Sequence, residues 1–390
     1  MPTAVSAPGK VFLAGGYLVL DRAYTALVFG LSARVHVLVT DIDTSSGVQL
    51  SEIVVQSPQF RDATWNYGYH LAPESGGVDV TQLQGASSAA LSKNLFVETA
   101  LSYALTYISS ILPSHLIKPA RVTILADNDY YSQPSSSQDV PRSTPASDPT
   151  TKTFTDFNVR LTDAHKTGLG SSAALVTAFT GALLTHYLPS KAFELSSPSG
   201  QTILHNLSQA SHCAAQGKIG SGFDVATAVY GTCVYRRFSP SILSSLGEPG
   251  SPGFSLRVKD VVEDPSQKWD TDISKHGASI PPGMALVMCD VDCGSHTPSM
   301  VKKVLAWRSS DPSVSKTLFD TLQKSNERLA ALLSTTPAPL CRSSRARARS
   351  GVPIEPREQT ELLDAVTKSV DGVAGAWSLG RGAMMRLCCW

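Results

Sequence analysis

The chain has 390 residues, with 33 lysines and arginines against 32 acidic residues and a formal net charge of +1. That length suits two packed domains, or one large domain with insertions, and allows a substantial core. The even charge balance excludes a general attraction to nucleic acid or to an anionic membrane, so any affinity for anions must be local. Seven cysteines are scattered without framework spacing: Cys213, Cys233, Cys289 and Cys341 stand far apart, Cys293 follows Cys289 by four residues, and Cys388 and Cys389 are adjacent. Such usage fits reduced thiols in the cytosol and contains no pair of Cys-x-x-Cys knuckles for zinc. Lys10, Asp21, Arg22 and Arg34 break the apolar N-terminal stretch short of the roughly 18 residues a membrane span requires, so neither a signal peptide nor a transmembrane helix is expected.

In chain order, residues 4–13 and 26–40 read as strands separated by tight turns at Gly15-Gly16 and Asp21-Arg22. The stretch from Asn94 to about Ser109 reads as a helix with a stripe of Phe96, Ala100, Tyr103 and Tyr107, and 121–126 as a strand. Residues 132–151 are rich in Ser, Pro and Thr with little to bury, which predicts a disordered surface loop inserted in a domain. A short strand is expected over 158–161, then a glycine turn and helices over 171–187, 203–216 and 221–230. Proline and glycine turns over 239–282 suggest a connection between two halves, followed by a buried strand over 284–291 and a helix over 300–307.

The most informative segment is Lys166-Thr167-Gly168-Leu169-Gly170-Ser171-Ser172-Ala173-Ala174, in which glycines precede an apolar helix. Without side chains, Gly168 and Gly170 let backbone N–H groups close on a phosphate, and a helix N-terminus contributes about half a positive charge. Ser171 and Ser172 can cap the helix or offer hydroxyls to a phosphate oxygen or Mg²⁺, and Lys166 adds a full charge at the rim. The same residues also suit a well-capped helix after a turn, and the pattern alone leaves both open. A dinucleotide fingerprint, G-x-G-x-x-A, fits the letters but lacks the hydrophobic strand before the first glycine and the acidic residue about 20 residues on. No Walker A sequence exists, because Gly9-Lys10 and Gly217-Lys218 are followed by Val11 and Ile219. His165, His205 and His212 have neither zinc spacing nor partner carboxylates and read as structural.

Two further segments set a glycine beside a lysine: Ser6-Ala7-Pro8-Gly9-Lys10 through Gly15-Gly16-Tyr17-Leu18-Val19-Leu20, and Gly217-Lys218-Ile219-Gly220-Ser221-Gly222-Phe223-Asp224. Taken alone, Lys10 is an ordinary solvated lysine and Asp224 a carboxylate complementing a helix dipole. Together with Lys166–Ala174, the first segment resembles the opening motifs of the GHMP kinase superfamily. The Gly-Gly-Tyr-Leu-Val-Leu variant, where other members show Gly-Glu-His, is similar to the fungal-type phosphomevalonate kinases. Asp292 to Lys302, with Ser295, Thr297 and Pro298, resembles the family's substrate-side Ser/Thr-Pro loop, although a capping turn explains those residues too. The resemblance covers residues 4 to about 376 with gaps.

This resemblance implies an α+β, two-domain GHMP kinase fold, with an ATP cleft between an N-terminal α/β domain over 1–235 and a ferredoxin-like α+β domain over 236–390. It implies transfer of the ATP γ-phosphoryl group to 5-phosphomevalonate, giving 5-diphosphomevalonate and ADP in isoprenoid and sterol synthesis, with ATP and Mg²⁺ as cofactors. Lys10 and Asp224 would be catalytic and paired. Asn94, Lys166, Gly168, Leu169, Gly170, Ser171, Ser172 and Ala173 would bind the nucleotide, with Ser172 on Mg²⁺. Lys10, Tyr17, Lys218, Ser221, Ser295 and Thr297 would face the substrate. A cytoplasmic enzyme acting on a small molecule, without nucleic acid, membrane or obligate protein partner, follows. Two alternatives remain: a kinase-fold protein that binds nucleotide without turnover, and another GHMP kinase such as mevalonate kinase.

After Gly375-Ala376, the residues Trp377 to Trp390 do not match the family's glycine-rich third motif, and 340–350 is a basic run where the family has an amphipathic helix. The second domain is therefore expected to be incomplete at its end, leaving strand edges unpaired and apolar faces uncovered. Poor solubility and strongly reduced activity follow as an expectation. Cooperative unfolding of the purified chain together with ordinary kinase turnover would overturn it.

Overall fold

A computed structural model describes residues 1–45, 50–83, 93–113, 117–132, 154–275, 277–280, 284–290, 297–335, 361, 373–378 and 383–389. The elements in chain order are β1 (Thr3–Ala14), β2 (Thr25–Asp41), β3 (Glu52–Gln56), β4 (Thr64–Leu71), β5 (Val78–Leu83), α1 (Leu95–Ser109), β6 (Ala120–Ala126), β7 (Tyr131–Ser132) and β8 (His165–Lys166). There follow α2 (Ser171–Tyr187), α3 (Pro198–Ala215), α4 (Phe223–Tyr230), β9 (Cys233–Arg236), α5 (Ser241–Ser244), α6 (Phe254–Glu263) and β10 (Asp272–Ser274). The last are β11 (Met284–Asp290), α7 (Thr297–Ser310), α8 (Pro312–Thr335), β12 (Val373–Ser378) and β13 (Ala383–Cys389). The described residues form two compact units between which the chain passes several times. The first lies within Met1–Lys10, Leu31–Tyr230 and Phe238–Asp270, the second within Val11–Gly30, Gly231–Arg237 and Thr271–Trp390.

In the first unit the sheet runs β2-β6-β3-β4-β5, with β3 and β6 parallel and the other neighbours antiparallel. Helices α1, α2 and α3 pack on one another, and α4 and α6 pack against α3. The expected stripe on α1 is only part of its buried surface, because every residue from Ala100 to Ile108 is buried, including Ser102 and Thr106. Those two hydroxyls, one turn apart, meet the start of β5: Ser102 Oγ donates to the Val78 carbonyl at 2.8 Å and Val78 N–H donates to Thr106 Oγ1 at 2.9 Å. Buried polar groups are tolerated when hydrogen-bonded, and here they join helix to strand.

The helix expected over 203–216 begins earlier, at Pro198. Ser197 caps it by accepting the Gly200 N–H at 2.9 Å, and Pro198 occupies the first turn, where its missing N–H costs nothing. The strand expected over 158–161 does not form. Asn158 takes a left-handed φ of 50°, Asp163 N–H closes a turn on the Arg160 carbonyl, and a single bridge joins Arg61 to Arg160. The expected loop over 132–151 lies outside the described residues apart from Ser132, which ends β7; so does 340–350.

In the second unit, β9 pairs antiparallel with both β10 and Thr25–Val28 of β2, and a separate sheet runs β11-β13-β12. Residues beyond Ala376 complete β12 and supply all of β13. Consequently β11 pairs from Met284 with Cys389 to Asp290 with Ala383, where the sequence leads one to expect an uncovered edge. Helix α8 has no counterpart in the sequence reading. Its buried face carries Ser315 and Gln323 beside Phe319 and Leu333, so polar letters mask the helical period. Gln323 accepts from Thr25 N–H at 3.1 Å and donates to Thr25 Oγ1 at 2.7 Å. Leu18, Tyr24, Val304 and Phe319 form a small core around which Tyr17, Trp307 and Leu322 pack, while Arg308 pairs with Asp21 and lies 5.2 Å above the Phe319 ring.

His205 on α3 is buried against the rings of Tyr230 and Trp269, each 5.5 Å away, and its Nδ1 is 3.0 Å from Asn206 Oδ1. Desolvation pushes its pKa down to about 4, so the native state resists a proton that the unfolded chain accepts near pH 6.5. Stability conferred by the neutral ring is complete above about pH 6.5 and is lost as pH falls toward 4. Urea unfolding at several pH values in this window is expected to show a shallower acid slope for His205→Gln, by up to about 1.4 kcal/mol per pH unit. Identical slopes would reject the assignment.

Candidate active site

Strand β1 brings Lys10 onto the glycine loop that precedes α2. Lys10 N–H donates to the Leu169 carbonyl at 2.8 Å, and Thr167 N–H donates to the Tyr130 carbonyl at 3.1 Å. Thr167 Oγ1 donates to the Asp129 carbonyl at 2.7 Å, and Lys166 pairs with Tyr131 across β7 and β8. The loop is therefore held from both sides by backbone. Close approach is possible because Gly9 has no side chain: a Cβ there would stand 2.8 Å from Tyr130 Oη and 3.0 Å from the Leu169 carbonyl oxygen.

Gly168 and Gly170 have φ of 74° and 78°, the left-handed region that side chains disfavour. Gly170 is the N-cap of α2 and makes no side-chain cap hydrogen bond, so the cap position expected of Ser171 or Ser172 falls to a glycine. A glycine cap leaves the first-turn amides of Ser171, Ser172 and Ala173 without helical acceptors, which is the arrangement that binds an anion at a helix N-terminus. Lys10 supplies the charge. Its aliphatic stem lies against Gly170, and its Nζ stands 5.7 Å above the Phe223 ring, within cation–π range.

Phe223 opens α4, directly after Gly222 with its φ of 84°, and Asp224 follows in the first turn. Asp224 Oδ1 accepts the Val225 N–H at 3.0 Å. On α3, the neighbouring helix, His212 is buried with its Nε2 3.1 Å from Ser172 Oγ and 4.0 Å from Asp224 Oδ2; Gln216 Nε2 is 3.2 Å from the same nitrogen. His212 thus stands among the predicted site residues, although its sequence context marks it as structural. A periodicity signal existed, since Gln216 lies one turn after it and immediately before the Gly217-Lys218 run.

Asn94 is the N-cap of α1 and accepts the Val97 N–H at 3.3 Å; two residues on, the Phe96 ring tilts against His212 at 5.6 Å. Lys166 and Lys218 are exposed, and Ser221 is half-buried. Tyr17 belongs to the second unit, where it packs on the Leu18–Phe319 core with a φ of 62° and burial raises its hydroxyl pKa. Thr297 is the first residue of α7, and Ser295 lies outside the described residues. Among the described residues no cluster of three or more His, Cys, Asp or Glu side chains could hold a metal ion by itself.

Replacing Gly168 or Gly170 by alanine imposes a left-handed side chain at a cost of about 1–2 kcal/mol. At Gly168 a Cβ meets nothing within 4 Å, whereas at Gly170 it meets Lys10 Cε at 2.8 Å and Cγ at 2.9 Å. Gly170→Ala is therefore expected to lower the urea midpoint more than Gly168→Ala, and equal losses would show that Lys10 yields freely.

Residues 152–232, spanning the glycine loop, α2, α3 and α4, match the GHMP kinases N terminal domain. The chain is 56% identical to the phosphomevalonate kinase of Gibberella zeae over 97% of its own length and 85% of that protein. It is 46% identical to the phosphomevalonate kinase of Aspergillus fumigatus, again covering 97% of this chain and 85% of that one. Its fold is like that of Streptococcus pneumoniae phosphomevalonate kinase, solved with phosphomevalonate and AMPPNP, at a TM-score of 0.58 and 14% identity over 99% of this chain and 92% of the other. With relatives this similar over nearly its whole length, the chain belongs to the phosphomevalonate kinases of the GHMP kinase superfamily.

Proposed function

We propose that the chain transfers the γ-phosphoryl group of ATP to the phosphate of 5-phosphomevalonate, giving 5-diphosphomevalonate and ADP. The observation that carries this reading is the seat of Lys10, hydrogen-bonded through its backbone to Leu169 and lying along Gly170 with its ammonium over Phe223, the residue before Asp224. An acceptor oxygen forms the new P–O bond while the bridging oxygen of ATP leaves with the electron pair of the old one. Both reactants are anions, so the main obstacle is mutual repulsion and a strong base is less necessary than for a hydroxyl acceptor.

In this reading the amides of Gly170 to Ala173 and the Lys166 ammonium hold nucleotide phosphates, and Asn94 lines the nucleotide side. Lys10 neutralises charge as it develops on the transferring group. Asp224 orients Lys10 and the acceptor, and accepts a proton when the acceptor arrives protonated. Lys218 and Ser221 face the substrate, and the family motifs assign Tyr17, Ser295 and Thr297 to the same task. Mg²⁺, touched by Ser172, would supply further neutralisation and in-line orientation when bound. No helix among the described residues is long and apolar enough to cross a membrane. Reduced thiols suit the cytoplasm, and a peroxisomal pattern from a fluorescent fusion would refute that placement.

A coupled ADP-release assay with Mg·ATP and phosphomevalonate tests the reaction. Lys10→Ala is expected to lower kcat by about 10²–10³-fold, the usual effect of removing one transition-state charge partner. Asp224→Asn should be more damaging at pH 5.5 than at pH 8, because the second phosphate pKa is about 6 and the base is needed only below it. Turnover of mevalonate in place of phosphomevalonate, or Lys10→Ala at parental rate, would sink the proposal.

A further inference from the structure

His212 and His205 lie two turns apart on α3 and are both buried, yet they differ in what their Nε2 atoms meet. The Nε2 of His205 has no hydrogen-bond partner among the described residues, whereas that of His212 faces Ser172 of α2 at 3.1 Å and Gln216 of its own helix at 3.2 Å. The Asp224 carboxylate of α4 is 4.0 Å away. The plane of the His212 ring is set by Phe96 of α1, 5.6 Å away at 31°. One side chain, 3% exposed, thus touches groups from all four helices that build the phosphate-binding end of the first unit.

We infer that His212 is a positioning residue that fixes the Ser172 hydroxyl, and with it the first turn of α2, for the phosphate-bearing ligand; the inference rests on the phosphotransfer reading above. A serine hydroxyl is a rotor with one proton and two lone pairs. Donated to an unprotonated Nε2, its proton points toward α3, which turns the oxygen lone pairs away from the ring and leaves them for an incoming ligand. With the Ser172 hydroxyl donating, the ring carries its proton on Nδ1, an assignment made from the network, and the Gln216 amide at 3.2 Å shares the single lone pair of Nε2. At 4.0 Å, Asp224 lies beyond hydrogen-bond reach of the ring. Its Oδ1 is engaged by Val225 N–H, so its other oxygen is not consumed by the contact that orders Ser172. A core histidine that only filled space would leave these groups indifferent to its ring nitrogen.

The test compares His212→Leu and His212→Gln, the latter able to restore a polar atom near the Nε2 position, in the parent and in a Ser172→Ala background. Steady-state kinetics are read alongside ATP titration calorimetry and urea midpoints. Loss of one buried hydrogen bond predicts that His212→Leu weakens ATP binding and lowers kcat by about tenfold each, while KM for phosphomevalonate stays within about twofold. His212→Gln should recover most of both losses, and in the Ser172→Ala background either His212 change should add nothing. If His212→Leu fails to fold, His212→Phe, which keeps a ring but no ring nitrogen, takes its place with and without Ser172→Ala. A His212→Leu protein with parental ATP affinity, a His212→Gln as impaired as His212→Leu, or full additivity with Ser172→Ala overturns the inference. A parent that binds ATP but transfers no phosphate to phosphomevalonate instead overturns the functional reading, and calorimetry still decides the role of His212.

Discussion

The backbone hydrogen bond from Lys10 to Leu169 fixes the rest of the site. It lays strand β1 against the loop that starts α2, and two glycines make the approach possible. Gly9 admits Tyr130 and the Leu169 carbonyl, and Gly170 admits the stem of Lys10 itself. The result is a lysine whose side chain is supported along its length by backbone and by the Phe223 ring. Pre-organisation of this kind matters for a reaction between two anions, because a cation already in place loses no energy to reorganisation when charge develops.

The helix ends around that lysine follow one design. Gly170 and Gly222 both take left-handed conformations immediately before the first-turn amides of a helix, α2 and α4 respectively. A serine or aspartate cap would satisfy those amides with its own oxygen. The glycine cap of α2 brings no such oxygen, while on α4 Asp224 Oδ1 accepts the Val225 N–H. Helix α3 sits beside both, and His212 joins Ser172 on one of them to the neighbourhood of Asp224 on the other. The buried contacts between α1 and β5, through Ser102, Thr106 and Val78, hold the helix layer to its sheet.

Elements with a clear period were legible in the chain. The two long opening strands, α1 and α2 were readable because apolar residues recur at the spacing each structure buries, and α2 follows two glycines that end the preceding segment. The reading failed where polar residues occupy buried positions. Helix α8 hides its period behind Ser315 and Gln323; Ser315 Oγ donates to the Pro312 carbonyl, and the burial of Gln323 makes sense only once Thr25 is seen to accept and donate across from it. The start of α3 was missed because Ser197-Pro198-Ser199-Gly200 looks like a turn, though the same letters form a capped first turn. Residues 158–161 misled in the other direction, since a left-handed Asn158 interrupts a stretch with strand-like composition.

The sequence by itself determined the family and the local chemistry: three glycine-bearing segments, a lysine within an apolar strand and an aspartate at a helix start. These are short-range facts, set by which residues tolerate left-handed backbone and which carry charge. Only the tertiary structure decided that Lys10 lies along Gly170, more than 150 positions away, that Gly170 caps α2 in place of a serine, and that His212 is part of this ensemble. The physical reason is that a hydrogen bond of about 3 Å or a missing Cβ is a relation between segments brought together by packing, and neither residue type nor spacing along the chain encodes that distance.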